Sequence, residues 1–422
     1  MWLDLSLSAE LRERAERALR ELDPNLNLSS RLRMELEIAL GTSLIITLGP
    51  VECTRIVLTS ALGLAEGLDD LDVQARALWA LWALHFNTGE CRTVQSAAER
   101  FSCAALRTGD QGIAFVAHRA VGYTLQYGGN QREARRSLEC ALKLNVYPER
   151  RRQRLMFPYD QHVLARATLA RSLWLQGFVN QAENVAQASL ADAQARDDKL
   201  TLCFVLGLAL CPLALATGDR AAAERWLTML IDTAMRQTFT QYEKGGRGLE
   251  GLLLIEGGEF AAGTALLTTA LDMGKKTGWT ADAPTYLGYL ARGFAGLGQI
   301  DKAFATVDQA LARAEQGGER WYVPELLRIK AELLLQDATA QSVSAAEDCL
   351  KEALDAAQEQ GALFWESRAA ISLARLRVRQ GRQDDARQVL APVYDRFTEG
   401  FETADLRAAR AILESCGLTG SD

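Results

Sequence analysis

The sequence predicts an all-α solenoid, a superhelix of about nine helix–turn–helix repeats of about 40 residues each. Three observations predict it. A Gly or polar residue ending an apolar helix recurs at Gly49, Gly89, Gly129, Gly177, Gly218, Gly258 and Gly298, then less cleanly at Ala338 and Gly381. Seven residues before each mark stands a mostly small residue: Thr42, Trp82, Gly122, Ala170, Cys211, Gly251, Ala291, Ala331 and Ala374. Five residues after it stand Thr54, Val94, Ala134, Ala182, Ala223, Gly263, Ala303 and Ala386, and in the eighth repeat the small residue slips to Ala346.

These columns have a steric reason. Two antiparallel helices cross near their middles, and a small residue on each lets the backbones approach. A turn Gly takes the positive φ that ends the first helix. A Leu before the first small residue also recurs, at Leu81, Leu169, Leu210, Leu290 and Leu373. This is the order of a tetratricopeptide (TPR) repeat. The period exceeds the usual length of about 34 residues, so the second helix or the inter-repeat loop is expected to be extended.

Along the chain, Ser8–Leu22 reads as a charged amphipathic helix, the second helix of a truncated preceding repeat, followed by a loop at Asp23–Ser30. Residues 1–30 are set apart on that basis. Residues 31–400 hold the array, with repeats beginning near 31, 71, 111, 160, 199, 241, 281, 321 and 361. Residues 401–422 hold a capping helix, Thr403–Ser415, and a polar tail. Two interruptions break the period. Extra residues fall within Asn145–Gln161, which carries Arg150, Arg151, Arg152 and Arg154, and Asp337–Ser344 reads as a polar turn.

Composition bounds the function. Hydrophobic residues make up 48% of 422, enough for a continuous core along the array, and the formal net charge is −7. That balance argues against direct nucleic-acid or membrane-surface binding. The longest apolar stretch, Leu200–Ala216, is broken by Thr201, two Cys, Gly207 and Pro212, and reads as a buried repeat helix rather than a membrane span. The eight Cys form no CxxC pair and there is no secretory leader, so the cytoplasm is expected.

Enzyme signatures are scarce. The three His, His85, His118 and His162, lie in different repeats, without an HExxH pair, so no metal is expected. No GxSxG occurs. Gly274-Lys275-Lys276-Thr277 echoes a phosphate loop, but Thr269 stands where its first Gly belongs and no strand precedes it. The chain is expected to be non-catalytic and to need no cofactor.

Binding remains. In TPR geometry the first helix of each repeat lines the concave surface. Its inward positions, about 13, 10, 6 and 3 residues before the turn, follow the alternating spacing of one helical face. They hold Arg76, Trp79 and Phe86, then Arg119, Tyr123 and Gln126, then Arg171 and Trp174. The fifth and sixth repeats offer only apolar residues or Gly, the seventh Arg292, the eighth Glu325, Arg328 and Glu332, and the ninth Arg368 and Arg375. Guanidinium groups bind carboxylates or phosphates and stack on rings. The groove candidates are therefore Arg76, Trp79, His118, Arg119, Tyr123, Gln126, Asp160, His162, Arg171, Trp174, Arg292, Glu325 and Arg328. The bland alternative is that these Arg pair with acidic residues of adjacent repeats. Arg328, flanked by Glu325 and Glu332, fits that best. Asp160 also suits a helix cap, and Trp321 and Trp365 suit the core.

The stretches Arg76–Gly89, Ala117–Leu125, Phe157–Gly177, Gly318–Leu335 and Leu390–Ala409 resemble the C-terminal TPR region of bacterial STAND-type signalling ATPases. The DQ-x-VLARA form at Asp160–Ala167 is closer to those with a winged-helix DNA-binding module than to the nucleotidyl cyclase type. The resemblance implies a sensor domain that binds an effector, a small molecule or a peptide, in its groove. It would relay that binding to an upstream ATPase and output domain, with oligomerisation as the switch. It names no ligand residue. The alternative is a protein-interaction scaffold with no small ligand.

Overall fold

The computed structural model describes residues 8–22, 27–144, 157–336 and 339–417. Among them the chain is helical throughout, with no strand. In order, the helices are α1 Ser8–Glu21, α2 Asn27–Thr47, α3 Glu52–Gly67, α4 Leu71–Asn87, α5 Cys91–Thr108, α6 Gln111–Tyr127 and α7 Gln131–Lys143. There follow α8 Gln161–Leu175, α9 Val179–Ala195, α10 Lys199–Thr217, α11 Arg220–Arg236, α12 Thr240–Glu256 and α13 Phe260–Thr277. The last seven are α14 Ala283–Gly296, α15 Ile300–Gly317, α16 Val323–Leu334, α17 Ala340–Gln360, α18 Leu363–Arg379, α19 Gln383–Tyr394 and α20 Ala404–Gly417. This is a TPR-like helical solenoid. The even-numbered helices from α2 to α18 form its inner layer and the odd-numbered ones its outer layer. The run Arg150–Arg154 and the eighth turn mark, Ala338, lie outside the described residues.

The turns form as steric reasoning requires. Apart from the eighth repeat, whose turn lies outside the described residues, each first helix ends at a left-handed Gly, such as Gly89 at φ 70° and Gly129 at φ 89°. A second left-handed column ends the outer helices and was not read from the sequence. Gly109, Gly278, Gly318 and Gly361 hold it in some repeats, and Asp69, Asp197 and Thr238 in others. Asp70, Asp110, Asp160 and Asp198 cap α4, α6, α8 and α10, each accepting the N–H three residues on. At the α12–α13 crossing a Cβ on Gly263 would stand 2.9 Å from the Gly251 carbonyl oxygen, so the small columns mark true backbone contact.

Helix α10 widens by a π-turn at Leu206–Leu210, just before Pro212. Pro212 has no N–H, and its ring would clash with the carbonyl four residues earlier, so the helix expands there. By length and composition α10 could cross a membrane, but 67% of its apolar window is buried against neighbouring helices.

The superhelix closes on itself. The orphan carbonyl of Asn87, at the end of α4, accepts the Thr280 and Ala281 N–H groups at 2.8 and 3.1 Å. One repeat later in both partners, the carbonyl of Tyr127 accepts those of Arg320 and Trp321 at 2.9 and 3.2 Å. Helix α2 likewise touches α12, and α8 touches α18. Each contact spans five helix pairs, so one superhelical turn takes five pairs and the next turn stacks on it. The inner helices are left facing a narrow axial cavity.

Candidate functional site

The cavity has a volume of about 360 Å³ and is lined by residues of inner helices α4 to α18 and the start of α20. Fifteen Trp, Tyr and Phe side chains face it, among them Trp79, Trp82, Tyr123, Tyr159, Phe204 and Tyr242 near one wall and Trp174, Trp321, Tyr322 and Trp365 near another. Such rings supply contact area at little cost in side-chain entropy. The lining cations are Arg119, Arg171, Lys244 and Arg368, and the lining acids Glu256, Asp282 and Asp405.

These cations differ in what satisfies them. Arg368 reaches Glu325 at 3.0 Å and Asp405 at 3.7 Å. Arg171 lies 3.9 Å over the Trp321 ring and donates to the Tyr127 hydroxyl at 2.9 Å. That hydroxyl donates in turn to Asp282. Burial alone would lower the Arg171 pKa, but Tyr127 and Asp282 outweigh it and the guanidinium stays charged. Lys244 donates to the Trp279 carbonyl at 2.9 Å, and burial brings its ammonium down to about 8.

Arg119 stands apart. It is 1% exposed and makes no hydrogen bond or ion pair among the described residues. Its one contact of note is with the Trp82 ring, 5.1 Å from guanidinium carbon to centroid. Burial pulls its pKa down to about 10, which still leaves it a cation at neutral pH. A buried cation without a counter-ion is costly, so it needs a reason.

Five of the groove candidates meet here: Trp79, Arg119, Tyr123, Arg171 and Trp174. The other eight stand elsewhere. Arg76 binds Glu35 at 2.8 Å. Arg292 makes a two-point pair with Glu256. Arg328 grips Glu325 through two bonds of 2.7 Å and also reaches Glu332. For these Arg the bland alternative describes the geometry, because an acidic residue sits within reach of each. His118 is exposed on the outside of α6. His162 stacks on Phe115 at 4.6 Å. Gln126 donates to the Thr168 carbonyl and to Ser172 across the helix interface, and Asp160 caps α8.

Several lining groups were not anticipated. Lys244 stands one residue before Gly245, in a repeat read as apolar. Trp321 and Trp365, read as core, are buried at 4% and 3% exposure yet border the cavity. Tyr159 enters from the end of the interrupted stretch Asn145–Gln161, beside Phe157, whose ring meets Trp79 at 5.2 Å. The insertion was the available signal: the stretch that interrupts the period contributes Tyr159 to this wall.

No family model matches the chain. Over 262 residues it is 26% identical to an uncharacterized protein, R02095, of Rhizobium meliloti, a match covering 60% of this chain and 24% of that protein. The chain thus spans about a quarter of the length of that curated relative. Among solved structures, the Rap protein complexed with competence and sporulation factor superposes with a TM-score of 0.52 at 12% identity, covering 85% of this chain and 99% of that one. The anaphase-promoting-complex assembly Cut9–Hcn1 gives 0.52 at 16% identity, covering 86% and 58%. Human IFIT1 with PPP-AAAA gives 0.50 at 14%, covering 99% and 90%. At these identities the likeness is one of fold. The chain is a TPR-type solenoid with an aromatic-lined cavity on its axis.

Proposed function

We propose that this chain is a non-catalytic sensor array whose axial cavity binds an anionic small molecule. Arg119 carries the reading: a cation unpaired among the described residues, held among rings in a cavity, is complementary to an anionic ligand. The cavity volume sits at the lower end of the range of about 300–1,000 Å³ for small-molecule sites. It suits a metabolite better than a folded partner or a long peptide. Binding would act on the superhelix because the cavity wall and the contacts between superhelical turns share residues, and small rotations per repeat accumulate along an array. An effector shifts such a balance only if it binds one curvature better than the other.

In the wider context we read the chain as the sensor of a cytoplasmic signalling ATPase or transcriptional regulator of the STAND type, with an ATPase and output module as intramolecular partners and oligomerisation as the response. A thermal-shift screen of the purified chain against anionic and neutral metabolites tests the core of this. One anionic class should raise the melting temperature in a concentration-dependent way, and the rise should vanish in Arg119→Met. A screen in which only a partner protein stabilises the chain would favour an interaction scaffold.

A further inference from the structure

The cavity specifies more about its ligand than a negative charge. Arg119 is the single lining Arg without a hydrogen-bond or ion-pair partner among the described residues; Arg171 and Arg368 have theirs, and Lys244 is engaged by a carbonyl. One free cation calls for one charge. A triphosphate or a tricarboxylate would leave most of its charge buried and unmatched.

The surroundings of Arg119 add a second donor. The Tyr159 hydroxyl accepts from Gln241 Nε2 at 3.1 Å and from Tyr242 Oη at 3.2 Å, which occupies both lone pairs. Its own O–H is left to donate, and Tyr159 lines the same cavity as Arg119. Burial raises the pKa of Tyr123, Tyr159 and Tyr242, so the phenols stay neutral and do not stand in for a counter-ion.

The rest of the wall repeats the pattern. Its buried polar atoms without partners are Arg119 Nε, Arg171 Nε and the indole nitrogens of Trp79, Trp174 and Trp365, with the hydroxyls of Thr285 and Tyr322. Five of these seven can only donate. What remains of the surface is aromatic. Trp82 is fixed by its Nε1 bond to Thr124 at 2.9 Å, and Tyr123 stacks on Phe86 with centroids 4.3 Å apart. Fixed rings of this kind favour a flat, rigid, apolar body.

Resting on the reading of the cavity as the binding site, we infer that its ligand class is an aromatic monocarboxylate, with the carboxylate between Arg119 and the Tyr159 hydroxyl and the ring among Trp82, Tyr123 and Phe204.

Titration of the full chain with 2-naphthoate, followed by calorimetry and by tryptophan fluorescence, tests this. The comparison probes are 2-naphthamide, its neutral counterpart, and glutarate, an aliphatic dianion. Naphthoate should bind, and the amide should bind on the order of tenfold or more weakly, as the loss of a charge-assisted contact implies. Arg119→Met should bind acid and amide alike. Tyr159→Phe should weaken the acid several-fold and the amide by less, because the bond to the carboxylate is charge-assisted. Helical circular dichroism would show that both variants fold. Glutarate binding with naphthoate silent would overturn the aromatic class while leaving an anion site in place. Binding of no anion by a folded chain would overturn the proposed function as well. Naphthoate binding unchanged in Arg119→Met would remove Arg119 from the site.

Discussion

The Tyr127 hydroxyl donates to Asp282 Oδ1 at 2.9 Å across 155 residues of sequence. Arg171 Nη1 donates to the same hydroxyl, also at 2.9 Å. One oxygen thus joins α6, α8 and the turn before α14, which belongs to the next superhelical turn. Asp282 takes part from a left-handed backbone, φ 63°, an uncommon conformation for a residue with a Cβ. The closure of the superhelix and the wall of the cavity meet at these side chains.

Tyr127→Phe should therefore loosen the closure. The ring packing remains, but Asp282 loses its donor and Arg171 its acceptor inside the protein. A loss of about 1–3 kcal/mol in unfolding free energy is expected, the usual range for a buried group left unsatisfied. Urea denaturation measures it. A variant as stable as the parent would mean that water replaces the hydroxyl and that the closure does not depend on it.

The helix crossings give a pair of opposed outcomes. At Gly263 a Cβ would stand 2.9 Å from the Gly251 oxygen and 2.9 Å from Ile255 Cδ1, so Gly263→Ala should cost about 1–3 kcal/mol through overpacking. Gly63 lies mid-helix in α3 with nothing within 4 Å, so Gly63→Ala should gain about 0.5–1 kcal/mol. Thermal melts of the two variants check both signs.

Stability should also vary with pH through Glu319. Its carboxyl is 2% exposed, and burial, reinforced by Asp282, raises its pKa to about 8. In the unfolded chain it titrates near 4.3. Between those values the folded protein keeps a proton that the unfolded chain has released, so this group's contribution falls as pH rises. Below the window both states are protonated, and above it both are ionised. Glu319→Gln should gain on the parent as the pH rises from about 5 to about 8, measured by denaturation at each pH. Lys244 contributes the opposite slope only above about 8. An unchanging difference between variant and parent would mean that Glu319 is ionised throughout.

Arg328 represents the structural arginines. Its removal leaves Glu325, whose side chain is fully buried, with Arg368 alone. Burial pushes the Glu325 carboxyl up, but Arg328 and Arg368 outweigh it and bring it to about 2, so it would stay charged and underpaired. Arg328→Met should cost about 3–5 kcal/mol, as broken buried pairs do. Chemical denaturation reads the loss, and a near-neutral result would show that Arg368 holds Glu325 unaided.

The helices and their crossings were legible because each repeat states them locally, as Gly251 and Gly263 do. The inward face was legible only in part. Arg76 and Arg119 sit on the expected face of successive repeats, yet Glu35 meets the first and, among the described residues, no acid meets the second. A repeat pattern carries no record of which partner an adjacent helix presents. The closure left no local signal either, since Thr280 and Asn87 meet only because five repeats complete a turn. Trp321 and Trp365 read as core because burial and cavity lining ask for the same residue type. Lys244 was hidden among the glycines that follow it.

The most direct measurement is made on Arg119→Met, with unfolding free energy and naphthoate affinity determined on one preparation. If Arg119 is held for a ligand, the variant should equal or exceed the parent in stability, because an unpaired buried charge has been replaced by an apolar chain of similar length. It should also lose its preference for the acid over the amide. A variant destabilised by several kcal/mol that binds naphthoate as the parent does would contradict this, and would make Arg119 part of the packing rather than the site.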